Sequence, residues 1–224
     1  MKVLIFGKGA VEARELVEKS GFEIVESGPD IIVSYGGDGT LMRAEFEFPG
    51  VPKLVLKGSR ICKLCAAMPN EEILERAARG KYRVEEMIKL EARAKDKTFF
   101  GLNDIVVHNA DPRHAVRYEV SVDDVRNGGE IIGDGVVIAT PLGSTGYYRS
   151  ITDSFFETGI GLAFNNSTEQ SDHMILKEGS EVRIKIARGP AIVYADNQPE
   201  SVELVEGDEV VVKRAKETAK ILRV

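Results

Sequence analysis

Residues 2–6 of the chain are almost all apolar, the pattern of a strand buried on both faces of a sheet. Val11–Lys19 then places Val11 and Leu16-Val17 on one side of a helix and Glu12, Arg14, Glu15, Glu18 and Lys19 on the other, and Gly21 stops it. Phe22–Val25 reads as a short strand and Ser27-Gly28-Pro29-Asp30 as a turn. Ile31–Tyr35 reads as a second buried strand, ended by Gly36. Leu41–Phe46 is expected to be helical and Lys53–Leu56 to be a strand. Asn70–Arg79 is expected to be a helix capped by Asn70, with Glu71 and Glu72 in its first turn.

After Tyr82 the period changes. Lys89–Lys95, Phe99–Val107, Val116–Val122 and Glu130–Ala139 read as strands, as do Glu181–Ile186, Ile192–Ala195, Ser201–Leu204 and Glu209–Lys213. Helix is expected only at Ser144–Arg149 and Thr152–Glu157. The pattern therefore predicts an α/β N-terminal domain over residues 1–82, a parallel sheet with helices, followed by a β-rich, sandwich-like domain over 83–224. With no linker-like segment between them, a crevice between the halves is the expected ligand site.

Composition narrows the function classes. The formal net charge of −6 and pI of about 5.3 give no electrostatic footprint for nucleic acid, so an anionic ligand must be met by local positive potential. No run of 18 apolar residues exists, so no membrane span is expected, and the first residues are too short a stretch for a signal peptide. A cytoplasmic location is the default expectation. The Cys62-x-x-Cys65 pair could be half a zinc site or a redox pair, but His108, His114 and His173 are not at ligand spacing. The two cysteines are read as small core residues.

Asp30–Leu41 carries the sharpest chemistry. An apolar strand runs into Gly36-Gly37-Asp38-Gly39-Thr40 and then into a helix. Glycines let backbone amides approach an anion, and the helix N-terminus adds positive potential. A carboxylate at Asp38 would repel a phosphate, so it is expected to face a nucleophilic hydroxyl or a Mg²⁺ ion. Two more segments stand out: Asp134-Gly135-Val-Val-Ile-Ala-Thr140-Pro141-Leu142-Gly143-Ser144-Thr145-Gly146-Tyr147, and Leu102-Asn103-Asp104-Ile105-Val106-Val107-His108.

The G-G-D-G-T turn is shared by NAD kinases, diacylglycerol and sphingosine kinases and, in a related form, phosphofructokinases. The second segment resembles the D-G-x-x-x-x-T-P-x-G-S-T-A-Y signature of NAD kinases, and the third their L-N-E/D strand. The resemblance covers most of residues 1–150. It implies an enzyme that phosphorylates the adenosine ribose 2′-hydroxyl of NAD with ATP or polyphosphate, with Mg²⁺ bridging the donor phosphates, in a dimer or tetramer. It further implies Asp38 as catalytic base, Gly37, Gly39, Thr40 and Arg43 around the nucleotide, and Asn103 and Asp104 on adenine and ribose hydroxyls. His114 matches a ligand-contacting position, Asp134 the nicotinamide end, and Gln198 the family's D-G-Q turn. Thr145, Gly146, Tyr147, Tyr148, Arg149 and Ser150 would line the adenine pocket. No protein side chain is assigned to a metal.

The chain departs from that pattern in three places. Leu56–Leu64 replaces a G-x-N-x-G-x-L-G-F segment and adds Lys57, Arg60 and Lys63, cations that lie where a phosphate donor could pass. Gly146 stands for the alanine of T-A-Y, and Tyr148–Ser154 replaces S-x-S-A-G-G-P. Two rival readings remain open: a paralogue acting on another nucleotide, sugar or lipid, and a dinucleotide sensor without catalysis.

Overall fold

The computed structural model describes residues 1–60, 62–168 and 173–224, and the chain divides into two compact units. The first joins Met1–Met87 to Glu217–Val224; the second is Ile88–Lys216. The expected boundary at residue 82 is thus displaced to residue 87. The last eight residues belong to the first unit, because Ala219–Arg223 inserts into its sheet.

That sheet has six strands in the order Glu23–Ile24, Lys2–Phe6, Ile31–Gly36, Lys53–Lys57, Ala219–Arg223 and Arg83–Met87. All neighbours are parallel except the last pair. The helices Ala10–Lys19 and Asp38–Glu47 connect parallel strands, and Asn70–Ala78 leads from Lys53–Lys57 to the antiparallel edge strand Arg83–Met87. Val17, Ile73, Leu74 and Ala77 pack with Val33, Leu54 and Leu56 on one face. Successive side chains alternate across a strand, so Lys53 points to the opposite face from Leu54. There its ammonium meets Glu45 of the Asp38–Glu47 helix, which covers that second face. Both side chains are buried, and the Phe48 carbonyl, at 2.7 Å, accepts a further bond from Lys53.

The second unit is a sandwich, as the strand pattern led one to expect. Among the described residues one sheet has seven strands and the other six. The second runs His173–Leu176, Ile160–Asn165, Gly135–Ala139, Asp104–Asn109, Ala191–Ala195 and Ser201–Leu204. Its inner face contributes Ile105, Val107, Val136, Ile138, Leu162 and Phe164 to the main core. Its outer face carries Val106, Val137, Ala139 and Ala163, against which the short helix Tyr147–Thr152 lies.

Several local expectations are corrected. Phe99–Val107 is two strands, Lys97–Gly101 and Asp104–Asn109, and Glu130–Ala139 is broken at Asp134. Thr152–Glu157 is not helical, because Asp153 adopts a left-handed conformation (φ 50°) that ends the preceding helix. Arg83–Met87, Ile160–Asn165, His173–Leu176 and Ala219–Arg223 are strands that periodicity did not reveal. Among the described residues no helix is long and apolar enough to cross a membrane.

Candidate functional site

In the first unit, chemistry gathers where the parallel strands end. Gly37 is extended (φ −127°, ψ −167°) and the helix begins at Asp38, with the amides of Thr40 and Leu41 donating to the Gly37 carbonyl. A Cβ at Gly36 would lie 2.2 Å from Thr40 Oγ1, so glycine is what lets the helix start so close to the strand. Asp38 therefore sits in the first turn, where unpaired amides favour a negative charge.

A second chain segment meets that carboxylate. The Lys63 amide donates to both Asp38 oxygens at 3.1 Å, and the Leu64 amide donates to Oδ1 at 3.2 Å. The loop carrying these amides is tied at its base by Asn70, whose side chain accepts from the Lys57 amide and donates to the Lys57 carbonyl, both at 2.9 Å. Arg223 donates to the Leu64 carbonyl at 2.8 Å, and a Cys62–Cys65 disulfide closes the tip. Two expectations fail here. Asn70 does not cap its own helix, since Pro69 holds that position and the side chain is spent on Lys57. The cysteines are not separate core residues but a bridge. Arg43 pairs with Glu47 at 2.9 Å and stands 5.9 Å from the Phe6 ring, on the exposed side of the helix. Lys57, Arg60 and Lys63 are exposed; Ile61, within the same segment, lies outside the described residues.

In the second unit the decisive group is Asp196, which follows the Ala191–Ala195 strand in a left-handed conformation (φ 47°). Its carboxylate accepts from three successive amides: Leu102 at 2.7 Å, Asn103 at 2.8 Å and Asp104 at 3.0 Å. That capture breaks the apolar run Phe99–Val107 into two strands. The Gln198 side chain donates to the Phe100 carbonyl at 2.7 Å and fastens the same turn. From the other side, the Thr140 amide donates to the Asn103 carbonyl at 2.8 Å and its hydroxyl to the Leu102 carbonyl at 2.7 Å. A Cβ on Gly143 would fall 2.0 Å from the Asn103 carbonyl oxygen, so only glycine permits this approach. Asn103 Nδ2 is 3.9 Å from where a Gly146 Cβ would be, which brings these two expected site residues together.

Asp104 is 7% exposed. Burial, reinforced by the charge of Asp196, pushes its carboxyl up to about 7. Burial also raises Asp196, against the lowering effect of its three amide donors and of Lys89. Tyr147 and Tyr194 flank Asp104. The Tyr147 phenol is raised by burial and then by the charges of Asp134 and Asp104, and the Tyr194 phenol by burial, Tyr147 and Asp104. Asn165 donates to the Tyr147 hydroxyl at 3.0 Å and lies 3.3 Å from His108 Nε2. Asp134 accepts from Asn166 at 2.6 Å and from Asn109 at 3.3 Å. Asn103, Asp104, Asp134, Gly146, Tyr147 and Gln198 thus form one polar region.

The other expected residues fall differently. Tyr148 is fully buried, its ring edge-on to Phe156 at 5.1 Å and to His173 at 5.8 Å, with its phenol pushed up to about 12 by burial. It is packed in the core, and helical geometry turns it about 100° away from its neighbour Tyr147. Arg149 and Ser150 are exposed, and Ser150 Oγ donates to the Tyr147 carbonyl. Thr145 Oγ1 donates to the Leu142 carbonyl. The His114 ring is exposed and paired with Asp111 at 3.2 Å, but its carbonyl accepts from the same Asn109 amide that reaches Asp134. Asp196, Tyr194, Asn165 and His108 are the members that sequence reasoning missed. Asp196 had a signal, as the first residue of the Asp196-Asn197-Gln198 turn; Tyr194, alternating with apolar strand neighbours, had none.

The profile of the ATP-NAD kinase C-terminal domain matches residues 102–224, which is more than half of the chain. The NAD kinase of Sulfurisphaera tokodaii is 31% identical over 245 aligned residues, covering 100% of this chain and 95% of that protein. The chain belongs to the NAD kinase family. The NAD kinase of Saccharolobus islandicus is 30% identical, with 100% and 94% covered. Among solved structures, the NAD kinase from Archaeoglobus fulgidus in complex with ATP superposes with a TM-score of 0.84 at 23% identity, covering 100% of this chain and 94% of that one. Yeast NADH kinase complexed with NADH gives 0.83 at 20% identity, with 100% and 83% covered. These likenesses confirm the NAD kinase fold, an α/β unit and an antiparallel sandwich. As an NAD kinase family member the chain is an enzyme of the phosphotransferase class.

Proposed function

We propose that the chain phosphorylates the 2′-hydroxyl of the adenosine ribose of NAD, with ATP or polyphosphate as donor, to give NADP. Asp38 is the base that orients this hydroxyl and takes its proton as attack proceeds. The observation that carries this reading is the Asp38 carboxylate itself, fixed in the first turn of a helix by the Lys63 and Leu64 amides. Phosphoryl transfer passes through a loose transition state, so holding the acceptor oxygen in line contributes more than proton removal. A carboxylate locked by backbone donors suits that task.

Each unit has its own part. In the first, Gly37, Gly39 and Thr40 approach nucleotide phosphates, and the exposed Lys57, Arg60 and Lys63 attract the donor. Arg43 adds positive charge. In the second, Asn103 and Asp104 hold adenine and ribose hydroxyls, and Asp134 meets the nicotinamide end. Tyr147 offers a ring face to a base beside Thr145 and Gly146, with Arg149 and Ser150 at the rim. Gln198 steadies the Asn103 turn, and His114 borders Asp134. A half-protonated Asp104 near neutral pH can donate to as well as accept from a sugar hydroxyl. Mg²⁺ would arrive on the donor phosphates, as such ions usually do, and no step is routed through it.

The test is incubation with NAD, ATP and Mg²⁺, followed by detection of NADP with an NADP-specific dehydrogenase. Asp38→Asn is expected to keep the fold and lower kcat by about 10²–10⁴-fold, the usual range for losing a positioned acid or base. Normal turnover by that variant would remove Asp38 from the role. NAD binding without turnover in the wild type would favour the sensor, and neither binding nor turnover would favour another acceptor. Assembly as a dimer or tetramer accompanies this reading and is checked by analytical sedimentation.

A further inference from the structure

The Cys62–Cys65 bridge plays no part in the reaction as set out above, yet it encloses the two residues that touch the base. Lys63 and Leu64 are the whole of the segment between the cysteines, and their amides are the donors to Asp38. Closing a loop this short removes most of the backbone freedom of the residues inside it. The bridge thus determines where those two N–H groups point. Both cysteines are partly exposed, so a dithiol can reach them. The loop is also held independently of the bridge, by Asn70 at Lys57 and by Arg223 at the Leu64 carbonyl. Opening the bridge therefore loosens the tip without releasing the loop.

We propose that the Cys62–Cys65 disulfide is a redox-sensitive positioning device for Asp38: the oxidised loop holds the carboxylate in its reactive place, and reduction by a dithiol frees it and slows phosphoryl transfer. The inference rests on the reading of Asp38 as base. In the reducing step a thiolate of the dithiol attacks one cysteine sulfur, breaking the S–S bond, expelling the other cysteine as a thiolate and forming a mixed disulfide. The second thiol of the reagent then attacks the reagent's own sulfur in that mixed disulfide and displaces the attacked cysteine. Two electrons and two protons pass to Cys62 and Cys65, and the reagent leaves as a cyclic disulfide.

The experiment uses the full chain with dithiothreitol as reductant, thiol titration to count free cysteines, and steady-state kinetics in both states. The wild type is expected to change from no free thiols to two on reduction. Its kcat should fall about tenfold, the equivalent of one hydrogen bond to a charged group, while KM for NAD stays within about twofold. Reoxidation should restore the rate. Cys62→Ser/Cys65→Ser should run at the reduced rate and ignore dithiothreitol. In Asp38→Asn the remaining rate should be the same in both redox states, because there is no carboxylate to position. A merely structural bridge would instead change KM and melting temperature with kcat and act equally in Asp38→Asn, which would overturn the proposal. Equal kcat for oxidised and reduced wild type would overturn it too, even with Asp38→Asn inactive. A fully active Asp38→Asn would instead overturn the base assignment itself.

Discussion

Asp104 gives the most quantitative expectation. The perturbation is Asp104→Asn, which keeps the shape and removes the charge. In the folded chain burial, together with the Asp196 charge, raises this carboxyl from its ordinary 3.8 to about 7. At about 1.4 kcal/mol for each tenfold change in acidity, that gap corresponds to about 4 kcal/mol as a ceiling. The sign follows from proton binding. Between the two values the folded state keeps a proton that the unfolded state has lost, so stability falls as pH rises. Below about pH 4 both states are protonated and no penalty exists; above about pH 7 both are ionised and the full penalty is present. The chain has no Trp, and four of its six Tyr (Tyr118, Tyr147, Tyr148 and Tyr194) lie in the second unit, so urea unfolding can be followed there by tyrosine fluorescence. The wild type should lose about 2–4 kcal/mol between pH 4.5 and pH 8. The Asn variant should be flatter over that window and more stable than the wild type at pH 8. A wild-type curve no steeper than that of the variant would refute the reasoning.

Other expectations follow from packing and charge. Lys53→Met leaves Glu45 buried without its ammonium partner and should cost about 3–5 kcal/mol, and the Lys53→Met/Glu45→Leu pair should recover much of it, both read by denaturant melts. Gly143→Ala drives a methyl into the Asn103 carbonyl and should displace that turn and raise KM for NAD about tenfold or more, read by steady-state kinetics. An Ala variant with unchanged KM would mean that the Asn103 turn does not bear on the dinucleotide.

Legibility differed between the units for physical reasons. The strands Lys2–Phe6 and Ile31–Gly36 are mostly apolar on both faces, the first followed by Gly7 and the second ending in Gly36, so local sequence suffices to find them and the turn carrying Asp38. Ala219–Arg223 and Arg83–Met87 mix charged and apolar residues without a regular period, and their pairing joins segments over 130 residues apart, which no local pattern reports. Within the candidate site, Asn103, Asp104, Asp134 and Gly146 were legible through resemblance. The break that presents Asn103 was not, because it is made by a carboxylate more than 90 residues further on. The same holds for the Asp38 clamp, whose donors are backbone amides on a loop brought close by Asn70 and a disulfide.

The placement of Ala219–Arg223 also sets an order of events during synthesis. This strand lies between Lys53–Lys57 and Arg83–Met87, which do not pair with each other. When residues 1–87 leave the ribosome, their sheet has a gap where its fifth strand belongs, and Leu54 and Leu56 lack part of their cover. The gap stays open until the whole of Ile88–Lys216 has been made. The sandwich can therefore fold first, although it is encoded second, and the base-bearing unit closes last, with Arg223 arriving to fasten the loop that holds Asp38.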